Sequence, residues 1–228
     1  WRTEPVSDAE GMVLIYGITY MRPWINTQLV KPGDEPKSYK DFLDPKWKGK
    51  MVIGDPRLTP RLVYPYVILR RERALDNAFF ISLAKQDIKW ASGITESASI
   101  LARGEAHAEV PGSDTSLVPL LLKGTPLKPV DVEEGALILS TPGIGVLKNA
   151  PHPNAARLFV NWLLSEEGQK AFHEPRGGTP IRKELASFLP TASRVEPKKS
   201  FVISPADDEE VSRVVTDKGL AKLIGIEK

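Results

Sequence analysis

The side chains best suited to covalent or metal chemistry are sparse in this chain. His107, His152 and His173 stand far apart, without the i, i+4 spacing of helical metal ligands, and read as structural or surface histidines. Cysteine is absent, which removes disulfides, thiolate catalysis and cysteine-type zinc sites together. No Gly-x-Ser-x-Gly elbow and no P-loop occurs. Gly143-Ile144-Gly145 lacks the third glycine and the following helix of a dinucleotide site. Carboxylates are numerous, but none pair in a spacing suited to acid–base work. The sequence therefore predicts a non-enzyme with no catalytic residues, no metal ligands and no cofactor.

Non-covalent binding fits the residues better. In open α/β sheets, ligands sit at the carboxyl ends of strands where helices begin, and helix N-termini offer free N–H groups to anions. Three stretches have small hydroxyl residues just before a helical pattern: Arg57-Leu58-Thr59, Gly93-Ile94-Thr95-Glu96-Ser97 and Ser113-Asp114-Thr115-Ser116. Arg57 and Arg61 are the nearby cations, and a guanidinium can hold a carboxylate or phosphate through two bonds. The pattern has two uses, because helix capping calls for the same hydroxyls and solvated surfaces carry the same arginines. The candidate ligand contacts from these loops are Arg57, Thr59, Arg61, Thr95, Ser113, Asp114 and Thr115.

The elements that must position them alternate strand and helix. Gly11 to Tyr20 is β-rich and apolar, as in a strand buried on both faces. Ser38 caps a short helix that Asp44-Pro45 ends, and a strand follows at Met51 to Gly54. Thr59-Pro60 opens an apolar helical stretch in which Pro65 predicts a kink or a later start. Ala74 to Lys85 reads as a helix. Thr95 caps another that Gly104 stops. Strands are expected at Ala106 to Val110, Leu127 to Val132 and Ala136 to Leu139, with a polar loop at 111–116 and a helix at Leu117 to Lys123. Ile144 to Leu147 is a further strand. Pro153 then starts a helix whose apolar face is Ala155, Ala156, Phe159, Val160, Leu163 and Leu164. Ser165 caps a second helix, which Gly177, Gly178 and Pro180 end. Lys183 to Ser200 is loop-like, and Glu209 to Ile224 is a terminal helix. This order predicts an α/β fold with mostly parallel sheets and flanking helices.

Composition sets the outer bounds. The 228 residues are 41% hydrophobic and 26% charged, ordinary for a globular protein. Lysine and arginine are spread without a basic block and the net charge is +2, so no nucleic-acid partner is expected. The apolar runs fall far short of the ~20 residues of a membrane-spanning helix.

Two segments, in order, resemble one family. H-P-N-A-A-R-L-F-V-N-W-L-L-S-E-E-G-Q at 152–169 and Y-K-D-F-L-D-P-K-W-K-G-K at 39–50, followed by a strand and Asp55-Pro56-Arg57, are similar to periplasmic solute-binding proteins of ABC importers. The branch is the one that includes ferric-iron binding proteins. The resemblance implies a type 2 periplasmic-binding-protein fold of two lobes that close on a small solute. Its partner would be an ABC importer permease, and its location periplasmic or otherwise extracytoplasmic. Residues 1–140 would be mostly second lobe, with crossover strands near 11–20 and 135–141. Residues 141–182 would return to the first lobe, and 183–228 would pack across both. Tyr20 would lie near the hinge, and Arg176 and Thr179 on the opposite wall of the cleft. In the iron binders, adjacent tyrosines that ligate iron stand at the position matching Asp114-Thr115. Here those tyrosines are missing, so an anion, a metal complex or a small polar organic molecule is the expected solute. The first lobe is expected to be incomplete, covered by a dimer partner or by a further N-terminal segment. The alternative of a different class is a ligand-sensing domain of the same fold in a regulator or receptor.

Overall fold

Leu14–Ile15 (β1) and Gly17–Asn26 (β2) open the part of the chain that a computed structural model describes, residues 13–58, 63–140, 143–203 and 205–226. In order there follow Met51–Gly54 (β3), Tyr64–Arg71 (α1), Asn77–Ala84 (α2), Lys89–Ala91 (β4), Ile94–Ala102 (α3), Ala108–Ser113 (β5), Asp114–Leu122 (α4), Leu127–Pro129 (β6) and Ala136–Ser140 (β7). The last part contains Gly143–Ile144 (β8), Pro153–Leu164 (α5), Glu166–His173 (α6), Thr179–Pro180 (β9), Ser200–Val202 (β10), Pro205–Thr216 (α7) and Gly219–Leu223 (α8).

The fold is α/β, and its sheet is mixed. β4, β3 and β5 run parallel, as do β7 and β10. The long strand β2 lies between these groups and is antiparallel to β5, β6, β7 and β9. The buried strand is therefore longer and later than its apolar run suggests, continuing through Met21-Arg22-Pro23-Trp24 to Asn26. Pro23 is tolerated because the ladder is irregular there. Arg22 pairs with Gly112 and Trp24 with Glu109, so two residues of β5, Val110 and Pro111, oppose Pro23. Neither proline has an N–H to give, and a bulge is where a ladder can spare one.

Strand alternation sends neighbouring residues to opposite faces. Met51 and Ile25 enter a core with Phe42, Trp47, Leu69 and Phe79, below the 3-10 segments at 39–47 and helices α1 and α2. Val52 and Trp24 enter another with Ala98, Leu101 and Leu117, below α3 and α4. Helices thus cover both faces of β2, β3 and β5.

Most punctuation falls where local chemistry demands. Ser38 and Asp41 form a capping box on the first 3-10 turn. Pro153 is the first residue of α5, and the Ser165 hydroxyl accepts the Gly168 N–H at 3.1 Å at the start of α6. Gly104 ends α3 and Gly177 follows the 3-10 turn Glu174–Arg176, at φ of 75° and 59°.

Several boundaries differ from the pattern. Of the two outcomes expected of Pro65, the later start is the one found: α1 begins at Tyr64, and Pro65 in its first turn costs no intrahelical N–H. The second helix begins at Asn77 because Asp76 caps it through the Phe79 N–H at 2.9 Å. The stretch 111–116 is not a loop: β5 runs to Ser113 and α4 starts at Asp114. β6 stops at Pro129, and Ser200–Val202 adds an unanticipated strand beside β7. The terminal helix is two helices, parted where Lys218 takes a left-handed φ of 51°. The strand expected at 144–147 is short, Gly143–Ile144, and pairs with β1. On α5, Val160 and Leu163 are buried but Phe159 is exposed, together with Leu158 and Trp162.

Candidate functional site: a cleft between β2, α4 and the 176–179 loop

Three pieces of chain converge on one cleft of about 380 Å³. The residue before β2 supplies Tyr16, and the start of β2 supplies Ile18 and Thr19. The first turns of α4 supply Asp114, Thr115, Val118 and Pro119. The end of α6 and the loop after it supply Phe172, His173 and Arg176 to Thr179. Four of the residues singled out from the sequence meet here: Asp114, Thr115, Arg176 and Thr179.

Asp114 is the most constrained of them. β2 and β5 are neighbours, so the first residue of α4 lands beside Arg22 and Trp24. Arg22 Nη2 donates to Asp114 Oδ2 at 3.1 Å and Nε to Oδ1 at 3.3 Å; Trp24 Nε1 donates to Oδ1 at 3.0 Å. Arg22 is 1% exposed, and its guanidinium also donates to the Val195 carbonyl. Burial pushes the Asp114 carboxyl above its ordinary range, and the Arg22 guanidinium, the Trp24 N–H and the Tyr20 backbone N–H pull it back. With N–H donors on both oxygens, the geometry is that of a carboxylate–guanidinium pair.

Next along the chain, Thr115 is exposed to the cleft and its hydroxyl contacts that of buried Ser113. Ser113 makes no side-chain cap on α4. Thr179 is buried and donates to the Ser187 hydroxyl at 3.1 Å. Arg176 is exposed; its guanidinium lies 4.4 Å from the centroid of the Phe172 ring, and Nη1 donates to the Phe172 carbonyl at 2.7 Å.

His173 and Gln169 hold this wall to β2. His173 Nε2 is 2.9 Å from the Tyr16 carbonyl, which requires the Nε2–H tautomer. Burial pushes the imidazole pKa down, so it is neutral at neutral pH. Fully buried Gln169 donates to the Tyr16 and Leu163 carbonyls, each at 2.9 Å, and accepts the Ile181 N–H at 2.8 Å. The preceding Gly168 is required sterically, since a Cβ there would lie 2.0 Å from the Trp162 carbonyl oxygen. The Gly-Gln ending of the 152–169 motif is thus a structural clamp.

The other sequence candidates lie apart. Tyr20 is buried, its ring beneath the Arg22 guanidinium at 5.1 Å. Arg57 lines a different hollow with Val63, Val214 and Lys218, and is bound to Asp55 and the Ile226 carbonyl. Thr59 and Arg61 lie outside the described residues. Thr95 does not cap α3: Gly93 takes that place, and Thr95 sits exposed in the first turn. Tyr16, Thr19 and Phe172 were not legible as cleft residues, because nothing in their local spacing announces a wall built from residues some 150 positions apart, the separation of His173 from Tyr16.

A model of the bacterial extracellular solute-binding proteins matches residues 18–175. The chain belongs to that family. This solute-binding chain is 24% identical over 192 residues to iron uptake protein A1 of Synechocystis, an alignment covering 72% of the chain and 50% of the relative. It is 34% identical over 152 residues to an uncharacterized protein of Haemophilus influenzae, covering 64% and 43%. The chain spans about half the length of these curated relatives. Its fold matches iron-bound HitA from Pseudomonas aeruginosa with a TM-score of 0.65 at 20% identity, covering 96% of this chain and 72% of that one.

Proposed function

We propose that this chain captures a small solute in the cleft between β2, α4 and the 176–179 loop, outside the cytoplasm, for delivery to an ABC importer permease. The observation that carries the reading is the convergence, in a member of the solute-binding family, of the helix start at Asp114-Thr115 and the Arg176–Thr179 loop on the strand β2 that joins them. In this reading residues 1–140 are mostly second lobe, 141–182 return to the first lobe, and 183–228 pack across. The exposed strip Leu158, Phe159 and Trp162 on α5 is then covered by further first-lobe chain or by a second copy, which the mass in solution distinguishes. No covalent chemistry is required.

Two similar proteins carry iron in their names, but this cleft is unlike a tyrosinate iron site. The resemblance sets Asp114 and Thr115 at the position of adjacent tyrosines in ferric binders; no Tyr-Tyr pair occurs in the sequence, and the described residues hold no cluster of three His, Asp or Glu. A ferric complex held by tyrosinates would be coloured; the protein is expected to stay colourless with ferric citrate. Native mass spectrometry of the protein as purified, before dialysis, is the direct test. A small adduct that an Arg176→Gln variant loses supports the reading. A protein with no adduct, and no response to any solute class in a binding screen, overturns it.

A further inference from the structure

We infer that the solute is an organic acid with one negative charge, a carboxylate on an apolar body, held between Arg176 and Thr115. This deepens the solute-binding reading and rests on it. Among the described residues lining the cleft, Asp114 and Arg176 carry the formal charges. Asp114 is not available to a ligand cation, because both of its oxygens are occupied by Arg22 and Trp24. Its charge is matched by a guanidinium buried behind it. The field in the cleft is therefore set by Arg176, for which no carboxylate partner stands among the described residues.

That guanidinium is also held in place. It rests on the Phe172 ring, and one N–H is tied to the Phe172 carbonyl. An arginine has five N–H donors in a planar fork, so donors remain for a carboxylate. The loop that carries it packs on α4: a Cβ on Gly177 would lie 3.0 Å from Val118. This brings the Arg176 side of the cleft against the helix whose first turn holds Thr115. When Ser113 Oγ donates to Thr115 Oγ1, the Thr115 O–H is left to donate to an anion.

The remaining wall restricts the rest of the solute. Ile18, Val118, Pro119 and Phe172 are apolar, His173 is neutral and already bonded, and Tyr16 and Thr19 add only neutral hydroxyls. A second charge placed against them would exchange its water for neutral groups, with no opposite charge to match it. A phosphate monoester, which carries between one and two charges at neutral pH, is disfavoured for the same reason. A cation would face Arg176 with no free carboxylate.

The test uses the full chain and matched probes: benzoate against benzamide, hexanoate against hexanamide, then phenyl phosphate and ferric citrate, by calorimetry and ligand-observed NMR. The carboxylates are expected to bind at least about tenfold more tightly than their amides, the size of one charge-assisted bond. Arg176→Gln should abolish that preference and Arg176→Lys keep part of it, with the circular-dichroism melt unchanged in both. Equal affinity for amide and acid, a preference for phenyl phosphate or ferric citrate, or an Arg176→Gln variant that still prefers benzoate overturns the inference and leaves solute binding standing. Absence of binding by every probe overturns the inference as well; a native adduct of other chemistry would then preserve solute capture, and no adduct would remove both.

Discussion

Asp55 with Arg57 and Asp114 with Arg22 are both aspartate–arginine pairs whose acid lies just past the end of a strand, yet they differ in range, burial and consequence. Asp55 and Arg57 are two residues apart. The Asp55 carboxylate accepts the Arg57 backbone N–H at 2.8 Å and its guanidinium besides, while the Arg57 side chain remains 36% exposed. The Arg57 hydrogen bonds outweigh burial and hold the Asp55 carboxyl below the usual carboxylate range. Asp114 and Arg22 are ninety-two residues apart, with side chains 10% and 1% exposed. There burial outweighs the same kind of partner and pushes the carboxyl up. The contrast shows that partner chemistry alone does not set the state of an acid; the depth at which the pair meets decides which effect wins.

The strongest way to break the comparison is to remove one partner from the deep pair. Arg22→Met leaves a buried carboxylate unpaired and is expected to cost about 3–5 kcal/mol in urea denaturation. Adding Asp114→Leu should recover much of that loss. A double variant as unstable as the single one would mean that Arg22 matters through its packing and its bond to the Val195 carbonyl.

Glu109 sharpens the contrast, because it is a buried acid without a cation. Its Oε1 accepts from the Ser97 hydroxyl at 2.6 Å, its Oε2 lacks a partner, and burial pushes its pKa up to about 8. Between about 4.5 and about 8 the folded state holds a proton that the unfolded chain releases. Stability should therefore fall as pH rises through that window and level off above it, by roughly 5 kcal/mol in all. Glu109→Gln should flatten the profile. An unchanged slope between pH 5 and 8 would assign the pH dependence to another group.

The shallow pair should give the smallest thermal effect. Asp55→Asn is expected to lower the melting temperature at pH 7 by no more than about 2 °C. Because the folded pKa of Asp55 is depressed, its contribution is present above the ordinary carboxylate value and vanishes as pH falls through the folded one. Wild type and variant should therefore converge in acid, and a gap that widens at pH 3 would contradict this. For binding, Arg57→Ala should leave benzoate affinity unchanged, since Arg57 lines a different hollow from Arg176. A tenfold loss would return Arg57 to the site.

Much of the fold could be read locally. Ser38, Pro153, Ser165 and Gly177 act within one turn of chain, where a hydroxyl, a missing N–H or a left-handed φ has its partner a few residues away. The same holds for Asp55 with Arg57, and for the ordered motifs at 39–50 and 152–169 that point to the family. Thr95 failed as a cap for an equally local reason: Gly93, two residues earlier, already starts the helix.

What the sequence determined by itself, then, was the α/β alternation, the caps and stops, the family and the apolar strands. Tertiary structure decided which residues share a cleft and what charge they leave in it. Asp114 reads in sequence as a free acid in a hydroxyl-rich loop. It is a spent one because β2 lies antiparallel beside β5 and delivers Arg22 and Trp24 to the first turn of α4. The family resemblance puts Arg176 on a cleft wall, but only the tertiary structure sets it on Phe172 and against α4 as the charge of the cleft. Those pairings depend on strand order and burial depth, which no window of sequence contains.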